Sequence, residues 1–301
     1  MNPRMLFKNQ YYYFISGLPE IAFDNTKLPF TVETFREMLH DVLEPEDKKL
    51  VDRYFTAYDN HNLLQMLNQD ASNENASKES SDSRFSDRPK GTLSREEIET
   101  AIRQVQEGDA LDKGSIPPYF EEAIAAWLNE ALPGQARTLE DLISSLYMDY
   151  GREVKNSLIA GWFEMNLNLG NLLSAIYARK YEMEVEQVVV GNNEIAKTIR
   201  ENANARDFGM GDELDYYDAI LRFTEEENIH ERERKIDQFR WNWLEENTLF
   251  DYFNIEYIFA YLCKLQILER WVNLNAEEGE RVFRKLIAGL KNEIKKPDDD
   301  V

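Results

Sequence analysis

Residues 164–210 read EMNLNLGNLLSAIYARKYEMEVEQVVVGNNEIAKTIRENANARDFGM, and this stretch decides the fold. Leu167, Leu169, Leu172, Leu173 and Ile176 carry the apolar content of a helix, and Asn166, Asn168 and Asn171 lie among them. Asparagine is a poor helix former unless its amide finds a partner. Asn168 and Asn171 stand three apart and so share a helix face. Arg179-Lys180 closes the helix with positive charge at the favourable end of its dipole. Gly191-Asn192-Asn193 then breaks the chain before a short helix over about 194–202. That helix ends in Asp207-Phe208-Gly209.

Working outward, the same grammar of caps and breaks predicts helices along most of the chain. Thr31 caps TVETFREMLHDVL, with Thr34 where an acidic partner is usual. After Pro45, helix continues over about 46–67. Ser94 and Glu97 form a capping box ahead of another helix. Pro117-Pro118 opens the next and Pro133-Gly134 ends it. Thr138 starts a run through Tyr181, with Gly151, Gly161 and Gly170 as expected kink points. Ile229, Ile236, Phe239, Trp243 and Leu244 fall near a 3.6 period. Two further helices are expected, 249–271 and 277–294. Strand signals are confined to residues 11–16, within YYYFISGLPEIAF, and to Val188-Val189-Val190. Residues 68–91 are rich in Ser, Asn, Asp and Glu and read as a mobile loop.

The chain has 301 residues with a net charge of −22. That charge argues against nucleic acid and against an anionic membrane surface, both of which select cations. It favours a basic protein partner. No apolar run approaches the roughly 20 residues that span a bilayer, and no signal peptide is evident. Cys263 is the lone cysteine, so neither an intrachain disulfide nor a cysteine metal site can form. The chain reads as cytoplasmic.

These residues carry a resemblance. The stretch is similar to the rotor subunit called C, or d in eukaryotes, of V-type ATPases. In that family an acidic residue and an Asn-Leu pair precede a helix ending in Arg, then a Gly-rich break and a short helix. The matching positions are Glu164, Asn168-Leu169, Arg179 and Gly191. FDYFNIEYIFAYLCKLQILERWVNL, residues 250–274, is similar to that family's last long helix. Phe253, Ile255, Glu256, Ala260, Tyr261, Leu262 and Glu269 are in step. Asn254 stands where Gly is usual, and Gln266 where Glu is common. The chain resembles still more closely a bacterial family of no assigned function, encoded beside V-type ATPase genes. Members of that family open with an aromatic run and Leu-Pro, like residues 11–14 and Leu18-Pro19. Agreement is weak over 60–140.

The resemblance implies a mostly α, multi-lobed funnel of three related helical domains. The expected lobes are 1–115, 116–212 and 213–301. The short echoes at Asn62-Leu63-Leu64, Asn171-Leu172-Leu173 and Asn254-Ile255 fit such a repeat. It further implies a non-catalytic central-stalk subunit that couples the axle to the membrane proteolipid ring in ion or proton transport. That protein would be peripheral to the inner membrane through the complex, with no cofactor of its own. Structural or partner-contact roles fall to Glu164, Asn168, Asn171, Arg179, Gly191, Phe208, Gly209, Glu256, Tyr261 and Glu269. For the asparagines the first reading is internal bridging between helices, with Arg179 paired to Glu182 or Glu184. Direct partner contact is the second.

Other chemistry is thinner. Glu37…His40 and Glu227…His230 each form an E-x-x-H pair, half of a di-iron bundle site, but no helix precedes the first to supply the partner glutamate. Solvated or capping histidines are the alternative. Asp207-Phe208-Gly209 lacks the glycine-rich loop and catalytic segment of a kinase, so it reads as a helix end with a packed Phe. No phosphate-binding loop of the GxxxxGK[ST] type occurs. The competing function classes are a soluble helical adaptor and a di-iron carboxylate enzyme.

Overall fold

The structure, a computed structural model, describes residues 11–72, 90–111, 114–134, 136–210 and 214–294. Among them no strand occurs. The helices are α1 (Val32–His40), α2 (Pro45–Ser72), α3 (Arg95–Glu107), α4 (Phe120–Leu128) and α5 (Leu139–Arg152). They continue with α6 (Ser157–Lys180), α7 (Glu194–Glu201), α8 (Tyr217–Glu225), α9 (Ile229–Asn247) and α10 (Ile255–Ile294). The mostly α expectation holds.

The chain divides into two compact units, one of residues 43–236 and one built from 1–42 together with 237–301. The lobe boundaries expected at 115/116 and 212/213 both lie inside the first of these. Contact in three dimensions groups the two ends of the chain, which a linear reading of repeats does not reveal.

In the unit of residues 43–236, α6 is the hub. It packs against α5, α7, α8 and the 3-10 turn Val185–Gln187. Ile159, Trp162, Phe163, Leu169, Leu172 and Ala175 are all buried, so the helix is enclosed on more than one face. α2, α3, α4 and α5 pack in neighbouring pairs beside it. In the other unit α1 lies on α10, and Phe23, Trp241, Ile267, Leu268 and Trp271 form a core cluster.

Local caps account for the helix starts. Thr31 Oγ1 accepts from the Thr34 amide at 3.1 Å. Ser94 and Glu97 satisfy each other reciprocally, and Thr138 and Asp141 do the same for α5. Asn254 Oδ1 accepts from the Tyr257 amide at 3.2 Å, so an asparagine starts α10 where the resembled family has glycine.

Five expectations change. Residues 11–16 are helical, not extended: Tyr11 and Ile15 are buried four apart while Tyr12 and Tyr13 face outward, a helical period that the aromatic composition masks. The valines at 188–190 form no strand and follow the 3-10 turn. The two C-terminal helices are one, Ile255–Ile294, because nothing between 271 and 277 breaks it. It starts at Ile255, not near Leu249. The run from Thr138 to Tyr181 is two helices, since Asn156 Oδ1 caps α6 by accepting from the Ile159 amide. The segment read as a loop over 68–91 is helical to Ser72, and residues 73–89 lie outside the described residues.

At the corner between α5 and α6, Gly151 faces the ring of Phe163. A Cβ there would stand 2.2 Å from Phe163 Cδ1. The ring is buried and meets Tyr147 edge-on, so it cannot swing aside cheaply. Gly151→Ala is expected to lower stability by about 1–3 kcal/mol in urea unfolding, although alanine is the better helix former. A variant as stable as the parent would show that the corner yields.

Candidate functional site

The asparagines of α6 face the Gly191 break. Asn171 makes a two-way bridge to one peptide group: its Nδ2 donates to Val190 O, and its Oδ1 accepts from Val190 N, each at 2.8 Å. One side chain thereby satisfies both backbone groups of a residue that has no ladder partner. Asn193 Nδ2 donates to Asn168 Oδ1 at 2.7 Å and also to Glu164 Oε1. Asn193 Oδ1 meanwhile accepts from the Ala196 amide at 2.9 Å and so caps α7. Asn168, Asn171 and Asn193 are all buried. The cost of helical asparagines is met by an irregular segment that needs donors and acceptors from the side.

Glu164 joins this network to α5. Its Oε2 accepts from Arg152 Nε, and Arg152 Nη1 reaches Asp149 at 2.8 Å. Tyr216, just before α8, is hydrogen-bonded to Asn168. Burial raises the Tyr216 phenol above its ordinary range, and the Glu164 charge adds to the effect. On the far side, Arg200 of α7 donates to Val189 O at 2.9 Å and Gly191 O at 2.6 Å. Burial lowers the Arg200 pKa, partly offset by Glu186. Gly191 itself has φ +79°, a conformation that favours glycine, and a Cβ would stand in tight contact 3.3 Å from Leu167.

Arg179 does not pair with Glu182 or Glu184. Its Nη1 donates to Arg206 O at 2.9 Å, and its Nη2 donates to Ala203 O and Ala205 O, each at 2.7 Å. Its guanidinium lies 3.7 Å from the centroid of the Phe208 ring. A planar cation with several donors can gather carbonyls that have left the helix, which a lysine could not do as well. Phe208 is almost fully buried at φ +55°, followed by Gly209 at φ +75°. Asp207 Oδ1 accepts from the Gly209 amide at 3.0 Å and sets the turn. The Asp-Phe-Gly segment is therefore a helix-end turn with a packed ring.

The C-terminal candidates lie in the other unit and serve it separately. Glu269 Oε1 accepts from the Val32 amide at 3.1 Å, an added cap for α1. Glu256 lies in the first turn of α10, where a carboxylate suits the helix dipole. Tyr261 Oη donates to Pro19 O at 2.9 Å, with its ring against Phe30 and Phe35. Burial and the neighbouring Tyr257 push its pKa up to about 12. The neutral phenol is thus the form the fold favours. Its contribution is complete below about pH 10, the unfolded value, and is lost as pH rises through 12. The difference between parent and Tyr261→Phe stabilities should shrink across that window. A constant difference would remove the donor role.

Two anchors went unread in the sequence. Buried Asp59 accepts from Thr92 N, Thr92 Oγ1 and Leu93 N at 2.7–3.0 Å, tying α2 to the residues before α3. Buried Asp237 binds Arg240, Arg270 and Trp271. Neither sits in a motif. The available signal was a lone Asp beside apolar residues on a helix.

A hollow of about 120 Å³ borders Ser145, Asp149, Val190 and Gly191, smaller than the roughly 300–1,000 Å³ typical of small-molecule sites. A second of about 680 Å³ opens beside Arg179, Glu182, Glu184 and Glu186. Among the described residues no group of three or more His, Cys, Asp or Glu is placed to hold a metal. Of the E-x-x-H pairs, His40 contacts Asp41 and His230 contacts Glu231, all with exposed side chains. No helix among the described residues is long and apolar enough to cross a membrane.

The chain is thus a mostly helical protein, with no strand among the described residues, whose central helix holds an irregular break in place by buried amides. It belongs to the family described as Protein of unknown function (DUF2764), whose model matches residues 8–294. No curated protein and no solved structure matches it.

Proposed function

We propose that the chain is a non-catalytic central-stalk subunit of a V-type ATPase or ATP synthase, coupling the central axle to the proteolipid ring in ion transport. One observation carries the reading. Glu164, Asn168 and Asn171, which with Gly191 bear the resemblance to the rotor C/d subunits, all bond to the break at residues 190–193 that contains Gly191, and Arg179 secures the turn that follows it. Residues serving a mechanical role need fixed geometry more than reactivity, and buried, hydrogen-bonded amides supply it. The acidic surface, at net charge −22, suits cationic faces on the axle or ring. The protein would act in the cytoplasm, peripheral to the inner membrane through the complex.

The test is ATP-driven ion uptake in membrane vesicles from the host with this gene deleted. Uptake should be lost, the soluble catalytic sector should still hydrolyse ATP, and the full chain should restore coupling. The tagged protein should also co-purify with the catalytic subunits and the proteolipid. Undiminished uptake without the gene, or recovery of the protein with unrelated partners, would overturn the assignment and favour an adaptor.

A further inference from the structure

The turn between α9 and α10 presents large apolar side chains to solvent. Phe250 is 84% exposed, Leu249 and Tyr252 are each 62%, and Phe253 is 39%. Tyr12 and Tyr13 extend the surface: Tyr12 lies 4.6 Å from Phe253 between ring centroids, and Tyr13 is 75% exposed. Scattered exposed apolar residues are ordinary, but a contiguous aromatic surface marks an interaction site.

The turn is held in shape by its own bonds. Thr248 N and Oγ1 both donate to Leu244 O, and Asp251 N donates to Thr248 O at 3.0 Å. Asn254 Nδ2 donates to Asp251 Oδ1 at 2.6 Å. The aromatics are therefore presented on a preorganised knuckle, which lowers the entropy lost on docking.

Charge identifies the occupant. Between residues 241 and 263 there is no Lys, Arg or His, while Glu245, Glu246, Asp251 and Glu256 are present. Residues 11–26 likewise hold Glu20 and Asp24 and no cation. The cations that flank this window along the chain are both engaged, Arg240 with Asp237 at 2.9 Å and Lys264 with Glu245 at 3.2 Å. Exposed rings on segments that carry carboxylates and no cation attract Lys and Arg through both Coulomb and cation–π terms, and repel acidic or phosphate-bearing surfaces.

We propose that this knuckle is a docking surface for a protein segment that carries Arg or Lys alongside aliphatic side chains. It stands on this surface alone; if the rotor reading also holds, the segment belongs to the axle or the ring. The occupant is not a second copy of the same face, which would set like charges together.

The experiment places p-benzoylphenylalanine at position 250 of the full chain in its host and maps the photo-crosslink. The purified partner is then titrated with the parent, with Phe250→Ser/Tyr252→Ser, and with Ile229→Ser as an exposed apolar control. Support is a crosslink within one segment holding Lys or Arg among aliphatics, at least a tenfold rise in Kd for the double variant, and no more than twofold for the control. Circular dichroism should show the same melting for all three, because the side chains changed are exposed. A crosslink to an acidic segment, to another copy of this chain or to nothing, or a Kd unchanged in the double variant, overturns the proposal. A crosslink to a basic segment outside the ATPase would sink the rotor reading and leave the docking surface standing.

Discussion

Replacing Asp237 by alanine should cost about 2–4 kcal/mol. The carboxylate is nearly inaccessible, and three donors converge on it: Arg240 Nη1 at 2.9 Å, Arg270 Nη2 at 2.8 Å and Trp271 Nε1 at 3.0 Å. Its removal takes the shared carboxylate away from two neighbouring cations and from the Trp271 indole at the edge of the Phe23–Trp241 core. Breaking a buried pair typically costs about 3–5 kcal/mol. The arginine side chains are 28% and 42% exposed, so water recovers part of that. Asp237→Asn keeps an acceptor for the indole and should lose about half as much. Urea unfolding followed by hydrogen exchange provides the measurement. Protection should fall in 11–42 and 237–275 and hold over 139–201. A change under about 1 kcal/mol for the alanine variant would mean that the carboxylate is dispensable.

Asn193→Ala should cost about 2–3 kcal/mol in the other unit, through two losses at one position. The cap of α7 disappears, worth about 1 kcal/mol. The amide that served Asn168 Oδ1 and Glu164 also goes, leaving a buried acceptor unmet at about 1–3 kcal/mol. Asn193→Asp separates the two effects. Aspartate caps a helix as well as asparagine does, so a cap-only role predicts a near-silent change. The network predicts the reverse: aspartate sets acceptors against Asn168 Oδ1 and the Glu164 carboxylate, and the variant should be at least as unstable as alanine. Thermal or urea unfolding of the two variants distinguishes the roles. An aspartate variant close to the parent would dismantle the network as described.

Much of the helical layout was legible because it rests on local chemistry. Thr31, the Ser94–Glu97 box and Thr138 act within their own first turn, so spacing alone reveals them. Arg179 was legible as important but not in its bonding. Three carbonyls of 203–206 became its partners only once the chain had turned at Phe208. In the sequence Asn193 reads as part of a break, while its role as the meeting point of Glu164, Asn168 and α7 depends on packing. The bonding of Asp59 and Asp237 was not legible, since apart from Arg240 their partners Thr92, Leu93, Arg270 and Trp271 stand more than thirty residues away. The aromatic run at 11–14 misled because composition argued for a strand while the burial of Tyr11 and Ile15 follows a helix.

The unit that unites residues 1–42 with 237–301 has a consequence during synthesis. Phe35 and Leu39 of α1 leave the ribosome well before α10, the helix α1 packs on, has been made. At about 5–20 residues per second, the intervening 43–236 takes roughly 10–40 s to emerge. That segment contains its own packing partners and can fold on emergence. The first helix must wait with its apolar face uncovered for its partner to be translated. The nascent chain is thus an early client for holding chaperones, and a ribosome stalled before residue 255 would release one folded unit trailing an unsheltered N-terminal helix.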